Sequence, residues 1–403
     1  MIRLVPALPS VLVVLASAVL LAPTAVHSQA GPVKIGLLLP YTGPLSVQGT
    51  DTTKGFDLYM AKIGLKAGGR EIQLLKEDTE AKPDVGLTKI KKLIERDRVD
   101  FVVGPVNSVV AIAIRNYVHE QGVPLIVPVA FTRVLTAPPL VSPSIFRVVE
   151  TSDQGNYPMG AWMMKNTKYR KVLLMATDFV AGRDSVQAFA AGFKAAGGEI
   201  VGEIYAPLGT PDFAPYLAKA GATKADAVYA FFGGADGIRF VKQYKEFGLF
   251  EKLPLTGYNV LTDDTILPTI GDAGLGIVTV GGWSAALDTP DSKAFVAEYE
   301  KVHKAWPTRY SESGWDTAQL LAITIDTLKG DLSDRNRIKD ALKTSLPRVK
   351  APRGRLEFDA SRQVTPPVYI MKAEKQGNRI VNAIVEKLPP VPQEQVWGWW
   401  FKK

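Results

Sequence analysis

Covalent chemistry has little to work with in this chain. Cysteine is absent, which removes thiol nucleophiles, thiolate metal sites and disulfides together. Apart from a histidine near the N-terminus, only His119 and His303 carry imidazoles, and both fall in stretches that read as surface helix. A Ser–His–Asp hydrolase or a histidine-rich metal site would have to be built from these two alone. No motif for a Ser–Lys or carboxylate mechanism stands in their place. No catalytic residue, metal ligand or cofactor is therefore assigned. The segment 43–49 has the wrong glycine spacing for a dinucleotide loop, and no Gly-x-x-x-x-Gly-Lys-Ser/Thr loop for ATP occurs.

What the chain offers instead is the chemistry of capture. Short segments at 41–43, 104–108, 128–132, 177–182, 232–236 and 257–259 gather glycine with hydroxyls, amides and rings. The hydrogen-bonding candidates are Gln48, Asn107, Ser108, Asp236 and Asn259, with the backbone of Val129, Ala130 and Gly233. Tyr41, Phe131, Phe179, Phe232, Tyr258 and Trp283 offer flat apolar walls. Turn-forming and helix-capping duties account for many such residues one at a time. As a set they make sense if their loops face one cleft.

The elements around these segments point the same way. Apolar strands are expected at 33–39, 72–77, 101–103, 125–127 and 146–149, with helices at 52–63, 84–96 and 109–121. The pattern repeats with strands at 172–177, 200–205, 227–232, 253–256 and 277–280 and helices at 185–196, 213–220 and 237–247. Strands alternating with amphipathic helices build parallel sheets covered on both faces. Two doubly wound, Rossmann-like α/β lobes are expected: 31–149 with about 282–357, and 150–281 with about 358–403. Further helices near 292–305, 313–328 and 334–344 are too few for a third lobe and return to complete the first two. Ligands of open α/β sheets bind outside the carboxyl ends of the strands, where these glycine- and hydroxyl-rich segments fall.

The N-terminus reads as an export signal. Arg3 is the only charge before Lys34, the run 11–21 is apolar, and Ser28-Gln29-Ala30 is a small-x-small cleavage pattern. That run is far short of the roughly 20 residues a membrane span needs. The expected location is therefore the periplasm, after cleavage near residue 30. The net charge of +8 is spread along the chain rather than collected in a tract, which argues against a nucleic-acid partner. The tryptophan-rich stretch 397–403 either packs back on the second lobe or offers a partner surface, packing being the simpler reading.

In their order and spacing these pieces resemble the type I periplasmic solute-binding proteins of ABC importers, the family of the leucine/isoleucine/valine-binding protein. The resemblance rests on Thr42-Gly43-Pro44 after the first strand, Val102-Val103-Gly104-Pro105 through Ser108, and Val123-Pro124-Leu125-Ile126-Val127-Pro128. Phe146-Arg147, Gly182 and Gly192-Phe193-Lys194-Ala195-Ala196-Gly197 follow in the same order. It implies two lobes joined by a multi-crossover hinge that closes on a small-molecule solute, with delivery to a membrane permease served by a separate ATPase. Ser108 matches the family's carboxylate-binding hydroxyl, and Val129-Ala130-Phe131 its backbone segment. Two positions depart from the pattern. Ala181 stands where an aromatic residue usually precedes Gly182, and Asn259 stands where an acid usually pairs with the ligand's ammonium. A neutral amide cannot neutralise a buried ammonium, so the expected solute is an amine-free carboxylate, an aromatic acid, unless Asp178, Asp236 or Asp263 substitutes. An amino acid, or service as a ligand sensor, is the alternative within the family.

Overall fold

A computed structural model describes residues 1–2 and 31–397 of the 403-residue chain. The apolar leader, its cleavage pattern and the tail beyond residue 397 lie outside the described residues. Among the described residues no helix is long and apolar enough to cross a membrane.

β1 (Val33–Leu39) buries every residue except Lys34, as a central parallel strand must when helices cover both of its faces. Around it come α1 (Ser46–Lys62), β2 (Lys66–Ala67), β3 (Arg70–Asp78), α2 (Pro83–Lys91), β4 (Phe101–Val103), α3 (Ser108–Gln121), β5 (Leu125–Val127) and β6 (Ile145–Arg147). Their sheet runs β2-β3-β1-β4-β5-β6 and is parallel except where β2 meets β3.

The second sheet is fed by α4 (Ser152–Asn166), β7 (Lys171–Thr177), α5 (Val180–Ala195), β8 (Glu199–Ala206), α6 (Ala214–Gly221), β9 (Ala227–Phe231) and α7 (Gly234–Glu246). α8 (Leu249–Lys252), β10 (Leu255–Tyr258), α9 (Leu267–Ile270) and β11 (Val278–Gly281) follow. Then come α10 (Pro290–His303), α11 (Arg309–Thr327), α12 (Arg335–Ser345), β12 (Val368–Gln376), β13 (Arg379–Leu388) and α13 (Gln393–Trp397). The order is β13-β12-β11-β10-β9-β7-β8, parallel from β8 to β11 and antiparallel from β11 to β13. Two α/β lobes are thus present.

The late segments divide between them. Ala318, Leu321 and Ile325 of α11 share one core with Phe56 and Met60 of α1 and with β1. The β12–β13 hairpin joins the second sheet. Residue 363 bridges to Arg147 at the end of β6, and the chain joins the second sheet at Val368. Neither α4 nor the hairpin is among the expected elements. α4 contains Gly155, Pro158 and Gly160 and starts from a capping box between Thr151 and Gln154. Gly160 is required by packing: a Cβ there would lie 2.2 Å from the backbone nitrogen of Phe193 on α5.

Candidate functional site

A cavity opens at the carboxyl ends of both sheets, with about 570 Å³ of space free of atoms that includes open solvent. One wall comes from elements of the first lobe. It comprises Leu45 and Gln48 at the start of α1, Val106, Asn107 and Ser108 at the start of α3, and Val129 and Phe131 after β5. Arg309 and Tyr310, in the first turn of α11, complete it. The facing wall comprises Thr177 at the end of β7, Phe179 and Ala181 around the start of α5, Leu208, Phe231 at the end of β9, Gly233 and Val260.

Local chemistry places these groups. Gly104 has φ +131°, and a Cβ there would sit 2.1 Å from the Leu38 carbonyl oxygen, so only glycine turns the chain from β4 into α3. Asn107 then caps α3, its side-chain oxygen accepting from the amides of Val109 at 2.7 Å and Val110 at 3.3 Å. α11 is capped by Thr308. By contrast α1, α5 and α7 start from Leu45, Phe179 and Gly233, none of which makes a side-chain capping bond. All three of these residues line the cavity. Helix N-termini carry partial positive charge and free amides, so these ends give the cavity a field that favours an anion.

Rings supply the rest. Phe131 lies 5.8 Å from Phe231, and Phe179 lies 6.1 Å from Phe231, in tilted contacts. Behind them Tyr258 stacks on Phe131 at 5.4 Å, and its hydroxyl donates to the Glu150 carboxylate.

Glu150, fully buried, stands at the junction of the passages between the lobes. It lies in the first passage, and Gly282 of the second leaves it space, since a Cβ there would come within 2.6 Å of its Oε2. Arg353 reaches its Oε2 at 3.5 Å and Arg309 its Oε1 at 3.6 Å. Burial alone would raise this acid, but the two guanidiniums and the Tyr258 hydroxyl hold it below its ordinary value. Arg353 is itself bound by Glu312, its Nε donating at 2.7 Å. Burial pulls Arg309 down, yet Tyr258, Tyr310, Glu150 and Asp263 together keep it above its ordinary value, so it stays cationic.

Of the expected residues, Gln48, Asn107, Ser108, Val129, Phe131, Phe179, Ala181 and Gly233 are brought to the cavity. The others are placed elsewhere. Phe232 packs with Phe213 and Phe240 on the opposite face of the sheet, because successive strand residues alternate, and Phe231 takes the cavity side. Ala130 is in the core under β5, and Trp283 is buried against Phe295 with its indole nitrogen 3.0 Å from Ser292 Oγ. Tyr41 turns its hydroxyl to Thr53 at 3.0 Å. Asp236 is occupied with the Gly209 amide at 2.9 Å and with Arg239, which fixes the loop that carries Leu208. Tyr258 supports the rings from behind, and Asn259 turns away from the cavity to lie against Gly281, only 2 % exposed. The substitute acids do not line it either. Asp178 pairs with Arg183 at 2.6 Å, and Asp263 accepts from the Tyr310 hydroxyl at 3.2 Å.

Arg309, Tyr310, Phe231, Leu45, Leu208 and Val260 line the cavity from outside the segments nominated in the sequence, and Val106 and Thr177 line it from within them. The strand period would have found Phe231. A start of α11 at the Thr308 cap, rather than at 313, would have brought Arg309 and Tyr310 to the cleft.

A family model described as periplasmic binding protein matches residues 32–378. The ABC transporter substrate-binding protein from Sphaerobacter thermophilus is 34% identical, with a TM-score of 0.84 over 89% of this chain and 98% of that one. A solute-binding protein of an ABC transporter from R. palustris, solved in complex with benzoate, is 32% identical, with a TM-score of 0.83 over 90% and 98%. The Leu/Ile/Val-binding protein homolog 6 of Brucella melitensis is 29% identical over 354 residues, 85% of this chain and 88% of its own length. The fold, the strand-end cleft and these matches agree: the chain belongs to the periplasmic binding proteins, as a type I substrate-binding protein of ABC transporters, a receptor that captures a solute rather than an enzyme.

Proposed function

We propose that this receptor captures a small aromatic carboxylate by closing its lobes about it, and passes it to a membrane permease whose ATPase is a separate chain. The observation that carries this reading is the lining of the cavity: it holds rings, a guanidinium and uncapped helix ends, and among the described residues that line it there is neither Asp nor Glu. An α-ammonium enclosed there would lack a carboxylate partner, and an unpaired buried charge costs several kcal/mol. A ring with a carboxylate has no such penalty, since it brings apolar area to Phe131, Phe179 and Phe231 and negative charge to the helix ends. Benzoate in the R. palustris relative supports the same class. Ser108 contributes a hydroxyl hydrogen bond to the carboxylate, and Gln48 can add an N–H from its amide nitrogen.

The name of the Brucella relative favours a second reading, a branched-chain amino acid; the acid-free lining speaks against it. Calorimetry with benzoate, 4-hydroxybenzoate, leucine, isoleucine and valine separates the two. Aromatic acids are expected to bind and raise the melting temperature. Tight binding of a branched-chain amino acid would overturn the proposal.

The same reading includes export by the leader at 1–30 and a location in the periplasm. It also includes a division into lobes of 31–149 with about 282–357, and 150–281 with about 358–403, which meet at the hinge around Glu150.

A further inference from the structure

Taking the solute to be a carboxylate leaves open which group receives its charge. Ser108 offers a neutral hydroxyl, and helix ends offer only partial charge. Arg309 is different. It is the only charged side chain among the described residues that line the cavity, and its side chain is 6% exposed. Its Nη2 donates to the Tyr258 hydroxyl at 3.1 Å and lies 3.6 Å from Glu150. Its Nη1 is buried with no hydrogen-bond partner. Buried donors are almost always satisfied, so an orphan on a cavity wall calls for a partner that enters the cavity.

A purely structural role, as counter-ion to Glu150, explains less. Glu150 is shared between Arg309 at 3.6 Å and Arg353 at 3.5 Å, with the Tyr258 hydroxyl as a third partner, and this duty engages only Nη2 of Arg309. The guanidinium also stacks near Tyr258 at 5.4 Å and Tyr310 at 5.1 Å. Those contacts hold the guanidinium in place on the cavity wall, where a planar fork suits a carboxylate better than an ammonium does.

Resting on the reading of the solute as a carboxylate, we propose that Arg309 is the specificity-determining residue of the cavity: its Nη1 edge pairs with the ligand carboxylate while Tyr258 and Glu150 hold its other edge. The ligand's negative charge, rather than its ring, is then what Arg309 selects.

The test is calorimetry with benzoate, its uncharged isostere benzamide and the aliphatic acid hexanoate, on the wild type, Arg309→Gln and Arg309→Lys. The wild type should prefer benzoate to benzamide by on the order of 100-fold, the scale of a buried charge pair. Arg309→Gln should abolish that preference by weakening benzoate and sparing benzamide. Arg309→Lys should keep the preference while losing about tenfold in benzoate affinity. Equal binding of benzoate and benzamide by the wild type overturns the proposal, and does so even if the glutamine variant fails to fold. A preserved preference in Arg309→Gln, or unchanged benzoate affinity in Arg309→Lys, overturns it too. If hexanoate binds through Arg309 and benzoate does not bind, the aromatic reading falls and the role of Arg309 stands. If benzoate binds and Arg309→Gln keeps its preference, the reverse holds. If no carboxylate binds, both fall.

Discussion

The two walls of the cavity are built from different chemistry. The wall from α1, α3, α11 and the loop after β5 carries the guanidinium of Arg309, the amides of Gln48 and Asn107 and the hydroxyl of Ser108. The facing wall has Phe179, Phe231, Ala181, Leu208 and Val260, and Thr177 is its one polar side chain. By its side chains the first wall favours the polar end of a solute and the second its apolar body, while the free amides at the starts of α5 and α7 add an anion-favouring field from the second wall. Closure in this arrangement separates two tasks. The first wall recognises the solute by direction and charge, while the second wraps it by area, which is non-directional and tolerant of ring substituents.

The most disruptive way to test this division is to put a charge behind the apolar wall. Asn259→Asp would place a carboxylate where the residue is 2% exposed and its Oδ1 has no partner. A loss of about 3 kcal/mol of stability is expected, read as a lower melting temperature, with the order of ligand preference unchanged. A new affinity for leucine would instead mean that Asn259 reaches the solute. Phe231→Ala removes the centre of the apolar wall. It should weaken aromatic acids by about 2–3 kcal/mol, seen in calorimetry as up to about 100-fold, while the preference for carboxylate over carboxamide survives. If the preference vanished, the walls would not be independent. Ser108→Ala should cost about 1.5–2 kcal/mol, tenfold or somewhat more, as expected for one hydrogen bond to an anion; unchanged affinity would reduce Ser108 to a helix-start residue. The smallest effect is geometric. Saturating ligand should make the protein slightly more compact through rigid-body closure, and scattering curves that superimpose with and without ligand would contradict it.

The fold was largely legible because parallel strands buried on both faces stand out as short apolar runs, and β1, β4 and β5 fall on their expected residues. The polar wall was legible for a related reason: Asn107 and Ser108 follow a strand directly, where the chain has no freedom to carry them elsewhere. The apolar wall was harder to read. At the end of β9 two phenylalanines are adjacent, and the choice between Phe231 and Phe232 depends on a parity that a continuous apolar run conceals. Asn259 poses the same one-residue question, since Val260 lines the cavity while the Asn259 side chain lies against Gly281. α4 left little trace because Gly155, Pro158 and Gly160 serve contacts with other elements at the expense of helix propensity. Arg309 was hidden by distance along the chain, because nothing local marks a helix start as facing loops some 200 residues earlier.

The antiparallel addition of β12 to β11 has a consequence for the timing of synthesis. Residues 278–281 pair with 369–372, and the core of the first lobe awaits Ala318 to Val364. Emerging from the ribosome, the chain thus has both of its lobes incomplete until its last tenth has been made. Contacts between such distant positions form late and slowly. Under the proposed export that delay would be an asset, because a chain whose lobes are both incomplete can still be threaded across a membrane.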